Sequence, residues 1–222
     1  MAVPKRLGLA RRFGGWEVSK AHLAVTITRK SANLMFQGCS PQFIADVCHG
    51  RCCWVIGDDG NPTTTIYVER DQRAELTKRG AQFTNGILQT VGGKCGFQHP
   101  ADGFCTIHNR RADGEFVKPR SCYISPWILS KHDKLMIRNR YKQLKCGKVH
   151  TVPAYLAFYS GLVMLFGDSV ANEINIHFSE GGGDIMVPLP MERALLIKHV
   201  MGLWHHHVPG EEYVPTSDNA QG

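Results

Sequence analysis

The chain has 222 residues, of which 43% are hydrophobic and 20% charged, with a mean hydropathy of −0.21. That is enough apolar material for the core of one compact domain, and it excludes disorder across the bulk of the chain. Lys and Arg outnumber Asp and Glu by 26 to 19, a net charge of +7, which is modest for a dedicated nucleic-acid binder.

Residues 1–15 read as a basic, flexible arm carrying Lys5, Arg6, Arg11 and Arg12. The arm has no apolar core of a secretory signal, so a cytoplasmic chain is expected. Residues 22–29 (HLAVTITR) alternate and are β-branched, predicting a strand. Residues 39–53 hold four cysteines and read as a ligand loop. The cluster at 57–62 (GDDGNP) reads as a turn, 63–68 as a short strand, and 69–80 as a surface helix ended by Gly80.

Residues 90–126 show little regular pattern and are rich in Gly, Pro and Cys, so something other than secondary structure must order them. Ser130 and Asp133 are spaced as a capping box, predicting a helix with Ile137, Tyr141 and Leu144 on one face and Cys146 at its end. Residues 149–167 carry no fixed charge. Pro153 and the polar content favour a buried helix there over a membrane span. Residues 172–190 read as a hairpin around Gly181–Gly183, and 190–206 as a last helix. The polar tail from 209 to 222 is expected to be flexible. The expected fold class is α+β, with residues 16–208 forming a single compact domain around an irregular, cysteine-rich, metal-ordered centre.

Eight cysteines carry most of the functional signal: Cys39, Cys48, Cys52, Cys53, Cys95, Cys105, Cys122 and Cys146. Without an export signal they read as metal ligands rather than as disulfides, and the adjacent pair Cys52–Cys53 suits a ligand cluster better than a strained bridge. Thiolates hold zinc and iron–sulfur clusters, and four complete one site. The pair spacing of zinc ribbons and fingers, two residues between cysteines, occurs nowhere. A dense knot (CHGRCC) with distant partners means a site assembled by the tertiary fold. Gly50, Gly96, Gly103 and Gly147 sit where a backbone could turn tightly around it. Arg51, Lys94, Lys118 and Arg120 adjoin candidate ligands and could offset thiolate charge.

Three blocks, CHGRCC at 48–53, GFCTIH at 103–108 and KPRSC at 118–122, resemble the YkgJ-type cysteine-cluster family, a zinc- or iron-chelating domain. A similar module accompanies flagellin lysine methylases, where it resembles an iron–sulfur unit. The match spans residues 36–147, about half the chain. The resemblance implies Cys48, Cys52, Cys53, Cys105 and Cys122 as central ligands and, more loosely, Cys95 and Cys146 as flanking ones. This chain departs from the pattern at Cys39, which stands alone ahead of the knot, and in the extra residues NRRADGEFV.

The resemblance tips the expected cofactor to an iron–sulfur cluster, with zinc as the alternative. The implied function is a redox or methylase-accessory role, with an unidentified protein partner or substrate. Two other readings stand beside it. One is a zinc-stabilised interaction module. The other, not favoured, is a nucleic-acid binder using the arm and a basic helix with Lys131, Lys134, Arg138, Arg140, Lys142, Lys145 and Lys148. His49, His99 and His108 lie near cysteines but read first as solvated loop residues, and His205–His207 as cations at a helix end. No P-loop, dinucleotide fingerprint, zincin motif or nucleophile elbow is present, and the residues name no reaction.

Overall fold

The computed structural model describes residues 22–53, 66–108, 118–149 and 151–205. The basic arm, the 57–62 turn, the NRRADGEFV insertion, His206, His207 and the tail lie outside these residues. Among the described residues the chain combines short helices with four small sheets, in keeping with the α+β expectation. No helix there is long and apolar enough to cross a membrane.

The largest sheet has four strands in the order Ile185–Pro190, His22–Ile27, Lys134–Ile137 and Trp127–Leu129. His22–Ile27 runs antiparallel to Ile185–Pro190, with Val25 opposite Val187, and parallel to Lys134–Ile137, with Ile27 opposite Leu135. Alternate residues point to one face: Val25, Ile27, Leu135, Ile137, Trp127, Leu129, Val187 and Leu189 are all buried. A slip of one residue would turn this whole set outward, so burial fixes the register. Residues of three helices share one buried core with that face. Tyr159–Phe166 contributes Leu162 and Leu165, Asp168–Ser179 contributes Ile174 and Phe178, and Met191–His205 contributes Ile197 and Val200.

The strand expected at 22–29 forms over His22–Ile27, and the surface helix over Arg70–Lys78. After that helix Gly80 takes a φ of 88°, and Ala81 N–H donates to the Leu76 carbonyl at 3.0 Å. Of the strand expected at 63–68, residues 63–65 lie outside the description. Tyr67 makes an antiparallel bridge with Ile87, flanked by hydrogen bonds from Val68 N–H to Gly86 O and from Leu88 N–H to Ile66 O.

Two expectations are corrected. Ser130 opens no helix; it turns a hairpin between Trp127–Leu129 and Lys134–Ile137. Its Oγ accepts from His132 N–H at 3.2 Å and Lys134 N–H at 3.1 Å, so the same hydroxyl that could cap a helix holds a turn. The basic stretch after it is split between that turn, a strand and two short helices, Asn139–Gln143 and Lys145–Lys148, and Arg138 is buried. The hairpin expected at 172–190 is half helix. Val170, Ala171, Ile174 and Phe178 share the buried face of Asp168–Ser179, while Ile176, the residue that completed an apparent alternation, is 46% exposed. Gly181, at φ 80°, ends this helix, and Gly182 N–H donates to the His177 carbonyl at 2.9 Å.

A second, smaller hydrophobic cluster lies apart from the sheet core. It is made by Ile66, Val68, Leu76, Ala81, Leu88, Cys95, Phe97 and Ile107. The cysteine segments lie between and around the two clusters.

Candidate metal centre

All eight cysteines are free thiols. Cys39 follows the short strand Met35–Phe36 and is exposed, and Cys48 ends a π-helical turn, Ile44–Cys48. Cys52 and Cys53 share a 3-10 turn, Arg51–Cys53. Cys95 closes a small hairpin in which it faces Thr90, and Cys105 makes a bridge with Gln98. Cys122 lies in the helix Arg120–Ile124 and Cys146 in the helix Lys145–Lys148.

The CHGRCC knot is fastened to the GFCTIH loop by backbone packing. His49 (φ 48°) and Gly50 (φ 60°) are both left-handed, and Gly50 lies against Gly103 (φ 77°). A Cβ at Gly50 would sit 2.2 Å from the Gly103 carbonyl oxygen, and one at Gly103 would sit 2.3 Å from the His49 carbonyl carbon. Only glycine allows this approach. Gln98 ties the junction: its side-chain amide donates to the carbonyls of His49 at 2.7 Å, Gly50 at 3.1 Å and Gly103 at 3.3 Å. Of the other two glycines singled out by sequence, Gly147 also packs against backbone, at Tyr141 and Lys142, whereas Gly96 has open space around it.

The KPRSC block is held by the start of the Arg70–Lys78 helix. Arg120 pairs with Glu69 at 2.9 Å and Asp71 at 2.7 Å, and its N–H donates to Gln72 Oε1 at 3.1 Å. Gln72 donates in return to the Lys118 carbonyl at 3.3 Å. Arg120 is therefore engaged by carboxylates, while Lys118 Nζ lies 3.3 Å from His108 Nδ1 and 5.1 Å from the centre of the Tyr123 ring. Desolvation would lower the Lys118 pKa, but the neighbouring Cys122, Cys53, Cys105 and Cys52 thiols outweigh it and raise it.

The thiols differ in their protons. A hydrogen bond from Cys53, then the charges of Lys118 and Arg140, outweigh burial and hold the Cys52 pKa well below the usual thiol range. Cys53 is pushed the other way by the same hydrogen bond and by burial. Burial is the largest cause pushing Cys122 and Cys146 up to about 12, and it raises Cys48 and Cys95 as well. A bound metal would replace the protons these raised thiols keep.

The three histidines near cysteines are exposed. His99 pairs with Asp102 at 3.0 Å, and His108 places its Nδ1 3.3 Å from Lys118 Nζ. His49 supplies a carbonyl to Gln98. Gln98, which fixes the junction, carries no signal in the sequence; one glutamine in an irregular loop looks like any other.

The donor chemistry fits a thiolate-bound metal: soft sulfur ligands, unbridged, with a cation among them. As placed, no three His, Cys, Asp or Glu side chains among the described residues converge on a ready metal-ion site. No family model matches the chain, and neither does any curated protein or solved structure, so the cysteine blocks alone carry the resemblance noted above.

Proposed function

We propose that this protein holds a thiolate-bound metal centre, iron–sulfur in preference to zinc, with a redox or methylase-accessory role. Its ligands would be Cys48, Cys52, Cys53, Cys95, Cys105, Cys122 and Cys146. The observation that supports the reading is that Cys53, Cys95, Cys105 and Cys122, from three distant segments, lie in or against one small apolar cluster with no disulfide joining any two of them. An iron–sulfur centre supplies electron transfer when bound. The chain's own part would be to supply the thiolates from segments packed against two apolar clusters, with cationic side chains to offset their charge. The preference for iron rests on the resemblance to the YkgJ-type family. The same sulfurs suit zinc, in which case the metal contributes folding energy and no redox chemistry.

The test is the full-length chain purified without oxygen, with iron, zinc and acid-labile sulfide counted per chain alongside the visible spectrum. Iron with sulfide, lost in Cys52→Ser and Cys122→Ser, is the expected result. Zinc without sulfide would make the centre a structural staple. Neither metal, or full metal content in both variants, would overturn the ligand assignment.

A further inference from the structure

We infer that the two short helices Asn139–Gln143 and Lys145–Lys148, with the strand pair Met35–Phe36 and Val152–Pro153 beside them, form a docking face for an acidic, partly apolar segment of another protein. The inference goes beyond the metal reading and stands with or without it.

Charge is the first observation. Between Asp133 and Asp168 the chain has six Lys and Arg residues and no Asp or Glu. Of the six, Lys142, Lys145 and Lys148 are exposed on the two helices. The fold draws them together. A Cβ at Gly147 would lie 2.8 Å from the Lys142 Cα, so the second helix is pressed onto the first at that residue. Lys145 and Lys148, three apart, share one side of the second helix. Like charges held this close repel one another. Lys142 Nζ donates to Asn139 Oδ1 at 3.1 Å, and no carboxylate among the described residues pairs with any of the three lysines. Asp46, on the turn packed against the second helix, takes a hydrogen bond from Gln42 instead. Elsewhere cations are answered: Arg79 by Glu75, Arg120 by Glu69 and Asp71, and Lys198 by Asp133.

Exposed apolar side chains are the second observation. Gln37 N–H donates to the Cys146 carbonyl at 2.7 Å, which lays Met35–Phe36 beside the second helix, and Met35 faces Pro153 across the strand pair. Met35 is 36% exposed, Val149 40% and Leu156 45%. Val149 directly follows Lys148, and Leu156 comes three residues after Pro153. Three aliphatic side chains thus adjoin three lysines that the fold leaves unneutralised.

This combination selects the occupant. The aliphatic groups are more than half sunk, too shallow for a bilayer, where an amphipathic helix buries its apolar face about 5–10 Å deep. Both helices are too short to follow a major groove, and the aromatic rings nearby, Phe36, Tyr141 and Tyr155, are buried and offer no platform for a base. A second copy presenting the same face would set lysine against lysine. A protein segment with carboxylates around aliphatic side chains satisfies both halves of the surface.

The test titrates the full-length chain at low salt into a fluorescent helical peptide with leucines on one side and glutamates on the others, and into the same peptide with glutamine for glutamate. Saturable binding of the acidic peptide, weakened by salt, is expected, with little binding of the glutamine peptide. Lys145→Glu/Lys148→Glu should weaken it by about tenfold or more, and Leu156→Ser should weaken it too. Lys131→Glu/Lys134→Glu makes the same change of charge on the Ser130 hairpin and should leave binding unchanged. No binding of the acidic peptide, equal binding of the glutamine peptide, or equal loss in the two double variants overturns the docking face. Tighter binding of phosphatidylserine vesicles or of a single-stranded oligonucleotide, lost in Lys145→Glu/Lys148→Glu, overturns it in favour of a membrane or a nucleic acid. A chain that binds the peptide and no metal overturns the metal reading alone.

Discussion

Cys52 and Cys53 are consecutive in the chain, yet the first packs against the core beneath the main sheet and the second against the smaller apolar cluster. The two side chains shift each other's protons in opposite directions, so the seam between the two clusters passes through one pair of thiols. The left-handed residues just before them, His49 and Gly50, turn the chain sharply enough to present both sulfurs there.

That turn depends on contact with Gly103. Gly103→Ala would place a Cβ 2.3 to 2.7 Å from His49 backbone atoms at a φ of 77°, combining steric overlap with backbone strain. The expected loss is about 2 kcal/mol or more, read as a lower urea midpoint of the metal-free protein. Gly96→Ala, with nothing within 4 Å of the added methyl, should change stability by no more than about 0.5 kcal/mol. Equal midpoints for the two variants would mean that the loops do not touch.

The Arg120 ion pairs give the fold a pH dependence. A hydrogen bond from Arg120 holds the Asp71 carboxyl below its ordinary value of 3.8. A carboxylate depressed in the folded state stabilises above its unfolded pKa, and the contribution is lost as pH falls through the folded one. Acid titration of the native chain should therefore lose stability below about pH 4. Arg120→Met should be less stable at pH 7 and flatter across that acid range. Parallel curves for the two proteins would deny the pairing a role.

Ser130→Ala removes the acceptor of two turn N–H groups, at His132 and Lys134. A loss of about 1 kcal/mol is expected, with the far-ultraviolet helical signal unchanged. A drop in helical signal would restore the helix cap and contradict the hairpin.

If the chain holds the iron–sulfur centre proposed above, the Lys118 charge would favour the centre's more negative, reduced state. Potentiometric titration of Lys118→Met should give a more negative midpoint than the native chain, with Lys118→Arg in between or unchanged. A midpoint that does not move in Lys118→Met would place the lysine's charge outside the centre's field.

How much of this was legible from sequence varies by element. His22–Ile27 is legible from its β-branched alternation and Arg70–Lys78 from its polar run ended by Gly80. Residues 172–179 pass for a strand because Ile174, Ile176 and Phe178 satisfy an alternating pattern. The helix is defined by Val170, Ala171, Ile174 and Phe178, and its stability comes from packing on Tyr159–Phe166 and Ala154–Ala157. Ser130 was misread because serine hydroxyls serve caps and turns alike. At the site, the cysteines stood out by residue type. How their segments meet did not, because it depends on Gln98, on the Gln37–Cys146 hydrogen bond and on two apolar clusters assembled from distant segments.

The first strand is partnered entirely by segments that come much later in the chain. His22–Ile27 lies between Lys134–Ile137 and Ile185–Pro190, and every cysteine falls before the second of these. During synthesis the thiols therefore leave the ribosome while the strand still lacks a neighbour on that edge. The cysteine region is the long loop whose closure the parallel pairing with Lys134–Ile137 must overcome. Any ligand that orders this region early shortens that loop and speeds the closing of the sheet.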